Sequence, residues 1–258
     1  MDASPALRTG TFNIRYDNPA DGVHSWRHRR AAVLECIDSL RFDVLGLQEV
    51  LPVQRRYLEA RTPWAGWYGV GRADGKRGGE QSPLVISDRV RVQAWRTMWL
   101  SPTPDVPGST GVDARIPRVA TVLLGSVGGN PIGVVNTHFD HRGSRSRELA
   151  AGQIAELVES DPRAWIVCGD FNVALDELPM RVLLERGLRS VLGDDASGTF
   201  HAFRGDSAGA RIDHLLVNER WDIERAWIDT TRPGGVIPSD HWPVVADLRL
   251  TREGQNVV

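Results

Sequence analysis

Eight polar side chains able to move protons or hold a hard cation fall where short apolar runs begin or end. Asn13 lies late in TFNIR, Glu49 follows DVLGLQ, and His138 follows IGVVNT. Asp170 and Asn172 follow WIVCG, Asp213 opens a strand in RIDHLLV, and Asp240 and His241 sit in PSDHWPV. Singly, each has an ordinary explanation, since an Asp or Asn at a strand end commonly forms a turn. Together they place four carboxylates, two amides and two histidines where loops leave strands, which is where sites are built on α/β sheets. Carboxylate and amide oxygens suit a hard divalent ion, Mg²⁺ or Mn²⁺. A His–Asp pair can take a proton from water while such an ion offsets charge on phosphoryl oxygens. The chemistry indicated is metal-assisted attack of water on phosphorus.

Other chemistries lack their residues. There is no CxxC, HExxH or His₃ spacing for tetrahedral zinc, no GxxxxGK[ST] to cradle a nucleoside triphosphate, and no GxSxG serine elbow. The two cysteines, Cys36 and Cys168, sit in apolar runs and read as buried thiols acting as small hydrophobes.

The elements that must carry these residues follow from hydrophobic periodicity. Strands are expected at Leu7–Ile14, Asp43–Leu47, Leu84–Ile86, Arg91–Leu100, Val119–Leu124, Ile132–Val135, Trp165–Cys168, Leu215–Val217, Ala226–Asp229 and Val244–Leu250. Helices are expected at Trp26–Leu40, Val53–Ala60 and Glu148–Val158. Residues 84–135 hold four strands and no helix, so part of the sheet structure must be antiparallel. Two β-rich halves with flanking helices suit a two-sheet sandwich. No linker interrupts the chain, so residues 1–250 read as one α/β domain, with a frayed tail at 251–258.

Composition narrows the class of protein. The 258 residues carry 31 basic and 33 acidic side chains, a net charge of -2, with 41% hydrophobic and 25% charged residues. That mix excludes a disordered chain and a disulfide scaffold, and the charge balance argues against a polybasic nucleic-acid binder. Of the 31 cations, only Lys76 is a lysine, so cationic contacts in a cleft are expected to be guanidinium forks. No dense basic run appears beyond 27–30 and 142–147. This tilts the expectation toward a small or single-stranded substrate over non-specific cleavage of duplexes. No membrane span or leader is evident, so a cytoplasmic protein with no membrane association and no obligate protein partner is expected.

TFNIR, LQEV, NTHFD, GDFN, RIDHLLV and SDHWPV, in that order, resemble the endonuclease/exonuclease/phosphatase superfamily, whose fold is that of pancreatic-type deoxyribonucleases. The resemblance runs from about Leu7 to Leu250, and DGKRGGEQSPLVIS, IPRVAT and TFHAF are similar to a bacterial branch of it. It implies a four-layer α/β sandwich, with two mixed, largely antiparallel sheets packed face to face and helices outside. It also implies a Mg²⁺- or Mn²⁺-dependent phosphodiesterase or phosphatase, the alternatives being a nuclease on DNA or RNA or an inactive binding module. By the same resemblance Glu49 is the main metal ligand, with Asn13 and Asp240 beside it. Asp170 and Asn172 orient nucleophile and phosphate, and His241 is the general base oriented by Asp213. His138 contacts phosphate and is oriented by Glu80. Arg118 and His201 are candidate substrate contacts, as is Lys76 in the loop before Glu80. Arg15 stands where some members place a second acidic residue, which puts a second metal in doubt. His24, His28, His141 and His214 are expected to be structural or surface residues, Arg142, Arg145 and Arg147 a solvated helix face, and Trp99 and Trp242 core.

Overall fold

The computed structural model describes residues 6–193 and 197–252. Its strands are β1 (Leu7–Asn13), β2 (Val44–Gln48), β3 (Gly66–Tyr68), β4 (Leu84–Ile86), β5 (Val90–Trp99), β6 (Val119–Val127), β7 (Asn130–His138), β8 (Ala164–Asp170), β9 (Arg189–Ser190), β10 (Asp213–Val217), β11 (Trp221–Ile228) and β12 (Val244–Leu250). Its helices are α1 (Trp26–Leu40), α2 (Pro52–Glu59), α3 (Ser144–Glu159) and α4 (Leu178–Glu185). The strands form two six-stranded sheets, β11-β12-β1-β2-β4-β3 and β5-β6-β7-β8-β10-β9. Each contains a single parallel pair, β1/β2 in one and β7/β8 in the other, and every other pairing is antiparallel. The expected two-sheet sandwich is present. The expectation missed β3, α4 and β9, all short.

Strict alternation along the strands builds the layers. Val44, Ile132, Val134, Ile166, Leu215 and Val217 point between the sheets and form the central core. Leu45, Leu47 and Phe12 point outward under Trp26, Val33 and Ile37 of α1. Val135, Trp165, Val167 and Leu216 point outward under Ala151 and Ile154 of α3 and Met180 of α4. Helices therefore cover both outer faces. The same alternation turns Asn13, His138, Asp170 and Asp213, at strand ends, toward the space between the sheets.

A polar seam crosses the core beside that space. Gln48 Nε2 donates to Thr11 Oγ1 at 2.9 Å and Asn136 Oδ1 at 2.6 Å. Asn136 Nδ2 donates to the carbonyls of Leu47 and Pro83, both at 2.8 Å. The sheets come together here only because residue 46 is glycine, since a Cβ would lie 2.6 Å from both Asn136 Oδ1 and Cys168 Sγ. Cys36 and Cys168 are buried free thiols, as expected. Thr251, where a frayed tail was expected to begin, donates its backbone N–H to Arg220 O; residues 253–258 lie outside the described residues.

The seam generates a prediction. Gly46→Ala should destabilise the protein by about 1–3 kcal/mol, the range for overpacking a filled interior. Gly152→Ala in α3, where a Cβ meets nothing within 4 Å, should be neutral or stabilising by up to about 1 kcal/mol. Thermal melts of both variants check this; equal melting temperatures would contradict the close approach.

Candidate active site

Strand register brings the chemistry into a row. In one sheet His138 pairs with Asp170 across β7/β8, and Asp170 pairs with Asp213 across β8/β10. In the other, Asn13 pairs with Gln48, whose neighbour Glu49 leaves the strand. His241 is held by an isolated bridge to Phe200, and Ser239 Oγ donates to Asn13 O at 2.6 Å just before it.

These side chains converge on one oxygen. Asp170 Oδ2 accepts a hydrogen bond from Asn13 Nδ2 at 2.9 Å and lies 3.4 Å from His138 Nε2 and 3.9 Å from His241 Nε2. Its Oδ1 accepts the Asn172 backbone N–H at 3.0 Å. His241 Nδ1 sits 2.8 Å from Asp213 Oδ2, and Asp213 is fully buried. Glu49 Oε2 accepts the Tyr16 N–H at 2.9 Å, and its Oε1 lies 3.4 Å from Asn13 Nδ2.

A cleft of about 640 Å³ opens on this cluster. Its lining includes an acidic group, Glu49, Asp170 and Asp240, with Arg15 beside Asp240, and a basic group, Arg72, Arg118, His138 and His141, with Glu80 beside Arg72. Tyr16, Ile116, Phe200, Phe203 and Ile212 supply apolar wall. Six described residues other than glycine have φ in the left-handed region, and five of them (Arg15, Glu49, Asn172, Ala202 and Phe203) line this cleft. Such conformations cost about 1–3 kcal/mol each and persist where surrounding contacts over-determine them, commonly at functional sites.

Two histidines beside one carboxylate oxygen are driven in opposite directions. Burial disfavours the imidazolium of His241, but Asp213, Asp170 and Asp240 overcome it and raise the pKa to about 10. Burial, reinforced by Arg118 and Arg72, pushes His138 well below its ordinary value, so its ring is neutral. Asp170 is pushed up to about 7 by burial and by the neighbouring Asp213. Environments that separate the pKa values of neighbouring groups assign them different proton roles.

The expected site residues Lys76 and His201 do not line the cleft, and Glu80 and Asn172 line it with partners other than those expected. Glu80 lines the cleft but does not orient His138, because both its oxygens accept from Arg72, at 2.9 and 2.7 Å. Lys76 lies outside the cleft, exposed at the tip of its loop, where it lines a separate hollow with Arg56 and Arg77. His201 lies behind the cleft. Its ring is buried, stacks on Trp242 at 4.2 Å, and accepts the Gly205 N–H through Nδ1. Asn172 donates its side-chain N–H to Phe139 O at 3.1 Å. Arg118, by contrast, faces the cleft while only 6% exposed.

Arg15 bonds Asp21 through Nε and Nη2, both at 3.0 Å, and lies 3.8 Å from Asp240. Its guanidinium stands where a second carboxylate was in doubt.

Sequence reasoning missed Arg72, His141 and Phe203 as cleft residues. Arg72 had a signal in its spacing to Glu80 within the glycine-rich loop. His141 follows His138 by three residues, and its Nδ1 accepts from Arg118 Nη2 at 3.2 Å. His214 packs against Phe171 away from the cleft, as expected of a structural histidine.

The His241 environment generates a prediction for the metal-free protein. Because the folded pKa lies above the ordinary value of about 6.5, protonated His241 favours the fold. That contribution is complete below about pH 6.5 and is lost as pH rises toward about 10. Asp213→Asn should move the His241 titration down by more than one unit in NMR; an unchanged midpoint would show that Asp213 does not set it.

The architecture recurs in solved structures. An endonuclease/exonuclease/phosphatase protein from Bacteroides vulgatus is 33% identical, with a TM-score of 0.89 over 95% of this chain and 99% of that one. A family protein from Bacteroides thetaiotaomicron is 27% identical, with a TM-score of 0.90 over 100% of both chains. A mannosyl-6-phosphatase from Bacteroides thetaiotaomicron is 29% identical, with a TM-score of 0.87 over 94% of this chain and 99% of that one. Among proteins with curated descriptions none matches this chain. No described helix is long and apolar enough to cross a membrane. Residues 10–241 match the endonuclease/exonuclease/phosphatase family. With the sandwich, the strand-end carboxylates and the His–Asp pair in place, the chain belongs to that family of phosphate-ester hydrolases.

Proposed function

We propose that this chain is a Mg²⁺- or Mn²⁺-dependent hydrolase of small phosphate esters, in which His241 activates water. The observation that carries the proposal is the cleft itself, where an acidic pole, Glu49, Asp170 and Asp240 around the His241–Asp213 pair, shares the lining with a basic pole of guanidinium and imidazole. Its volume of about 640 Å³ falls in the range of small-molecule pockets, about 300–1,000 Å³. The solved neighbour that is a mannosyl-6-phosphatase supports a small phosphate ester as substrate.

The acidic pole fits a hard cation. Its donors are carboxylate oxygens of Glu49, Asp170 and Asp240, the kind Mg²⁺ and Mn²⁺ prefer, while Asn13, expected beside them as a ligand, turns its amide N–H toward Asp170 and Glu49 and its oxygen to the Arg15 N–H. Asp213, Asp170 and Asp240 raise His241 against its burial, and Asp213 adds to burial in raising Asp170, so carboxylates are concentrated here. Asp170, Asp213 and His241 also have ligand atoms within 4.8 Å of one another. Because Asp213 is fully buried and holds His241 Nδ1, we assign the cation to Glu49 and the cleft-facing oxygens of Asp170 and Asp240, and Asp213 to His241. When bound, the cation lowers the proton affinity of His241 and offsets charge on the phosphoryl oxygens.

The protein's own residues do the rest. Asp213 fixes the His241 tautomer and ring, leaving Nε2 toward the cleft to take a proton from water. Asn13 and the Asn172 N–H hold the Asp170 carboxylate in place. Neutral His138 and the Arg118 guanidinium present donors to phosphoryl oxygens.

A panel of sugar phosphates, nucleotides, phospholipids and single- and double-stranded nucleic acids with Mg²⁺ or Mn²⁺ tests the reading. Small esters should turn over, a chelator should stop turnover, and His241→Ala should lower kcat by at least about 10²-fold, measured below its melting temperature because the variant leaves buried Asp213 without its partner. Glu49→Gln should weaken Mg²⁺ binding in calorimetry. Full activity in His241→Ala would overturn the mechanism, and turnover of nucleic acid alone would replace the substrate class.

A further inference from the structure

We propose that Arg72, held in place by Glu80 and set beside Arg118, makes the cleft selective for the terminal phosphate of a monoester over a diester. The proposal rests on the hydrolase reading and names the charge state that the site accepts.

Arg72 is fixed at both ends. Its guanidinium makes a bidentate bond to Glu80, its carbonyl accepts the Trp99 indole N–H at 2.7 Å, and its N–H donates to Glu80 O at 3.0 Å. The loop between them is pinned by Asp74, whose Oδ1 accepts the N–H groups of Lys76 and Gly78, both at 2.8 Å. Arg72 therefore enters the cleft as a rigid planar donor group rather than a mobile surface cation.

Arg118 meets it with unmet donors. The side chain is buried, Nη2 donates to His141, and Nε is buried without a hydrogen-bond partner. The nearest carboxylate oxygen to Nε, Asp140 Oδ2, is 3.8 Å away, beyond hydrogen-bond reach. Arg72 adds to burial in lowering the proton affinity of Arg118. Both line a space of about 10 Å³, together with Glu80, Ser82, Val119 and His138. Asp140 Oδ2 is likewise buried without a hydrogen-bond partner, so Nε lies toward Asp140, and it is the rest of the cleft-facing Arg118 guanidinium, beside that of Arg72, that an anion would meet.

The count of oxygens then decides between substrates. A monoester near neutral pH carries close to two negative charges on three non-bridging oxygens. With one side of the phosphoryl group against the acidic pole, a non-bridging oxygen remains for the Arg72–Arg118 wall. A diester has only two such oxygens and one charge, and its second organic substituent competes for the wall. Buried donors left without acceptors discriminate strongly against a ligand that lacks the matching atom.

The test compares p-nitrophenyl phosphate with bis(p-nitrophenyl) phosphate, and measures inhibition by inorganic phosphate. In Arg72→Met the monoester-to-diester ratio of kcat/KM should fall about 30-fold or more, and the phosphate Ki should rise about tenfold. Glu80→Gln, which keeps volume and the backbone contacts, should move both quantities the same way but less. Arg72→Lys, which keeps charge without the planar fork, should not restore the ratio. An unchanged ratio, or equal loss on both substrates with unchanged phosphate inhibition, in both Arg72→Met and Glu80→Gln overturns the assignment while leaving the hydrolase reading intact. Absence of metal-dependent turnover of any phosphate ester by the wild type would instead remove the hydrolase reading.

Discussion

One carboxylate oxygen ties the molecule together. Asp170 Oδ2 takes the Asn13 side chain from one sheet and lies beside His138, its partner across β7/β8, and His241. Asn13 ends β1 and Asp170 ends β8, so their 2.9 Å bond spans the two sheets at the point where the core gives way to solvent. A buried carboxylate beside a second, Asp213, is costly unless positive charge compensates it. The surrounding groups respond to that surplus. His241 is driven toward its charged form by Asp213, Asp170 and Asp240, and Asp170 toward its neutral form by burial and Asp213.

The remainder of the fold serves to make that arrangement rigid. Alternation along β1, β7, β8 and β10 turns Asn13, His138, Asp170 and Asp213 into the inter-sheet space, while their neighbours pack outward against α1, α3 and α4. The close sheet contact at Gly46 and the Gln48–Asn136 seam fix how far apart the sheets stand. Backbone strain is concentrated at the cleft, where Glu49 and Asn172 each leave a strand in a left-handed conformation that aims them at the site. The cleft gathers both signs of charge: Glu49, Asp170 and Asp240 line it with His241, and Arg72, Arg118 and His141 line it as well, while Arg15 is held beside Asp240 and Glu80 beside Arg72.

The sandwich, α1, most strands and the acidic pole were legible in the sequence. Period-2 apolar runs mark strands, and a polar residue at the end of such a run is visible without a structure. The core of the site is short-range in sequence terms, because each residue belongs to a recognisable strand-end motif. The basic pole was less legible, since it is assembled across loops. Arg72 gains its role from Glu80 across a glycine-rich loop and from Trp99 on another strand. His141 gains its role from Arg118, 23 positions away. Lys76 and His201 misled because they neighbour cleft residues along the chain. The loop carries Lys76 to its exposed tip, and the packing of His201 on Trp242 turns its ring behind the site. Short elements such as β3 and β9 have too few residues for periodicity to register.

The central claim is that surplus negative charge around Asp170 is matched by a divalent cation, which frees His241 to accept a proton. The most direct measurement is the NMR titration of the His241 imidazole without Mg²⁺ and with saturating Mg²⁺. The account predicts a midpoint near 10 in the metal-free protein and a displacement of more than one unit toward neutrality with the ion, abolished in Asp170→Asn. A midpoint that Mg²⁺ leaves unmoved would contradict it.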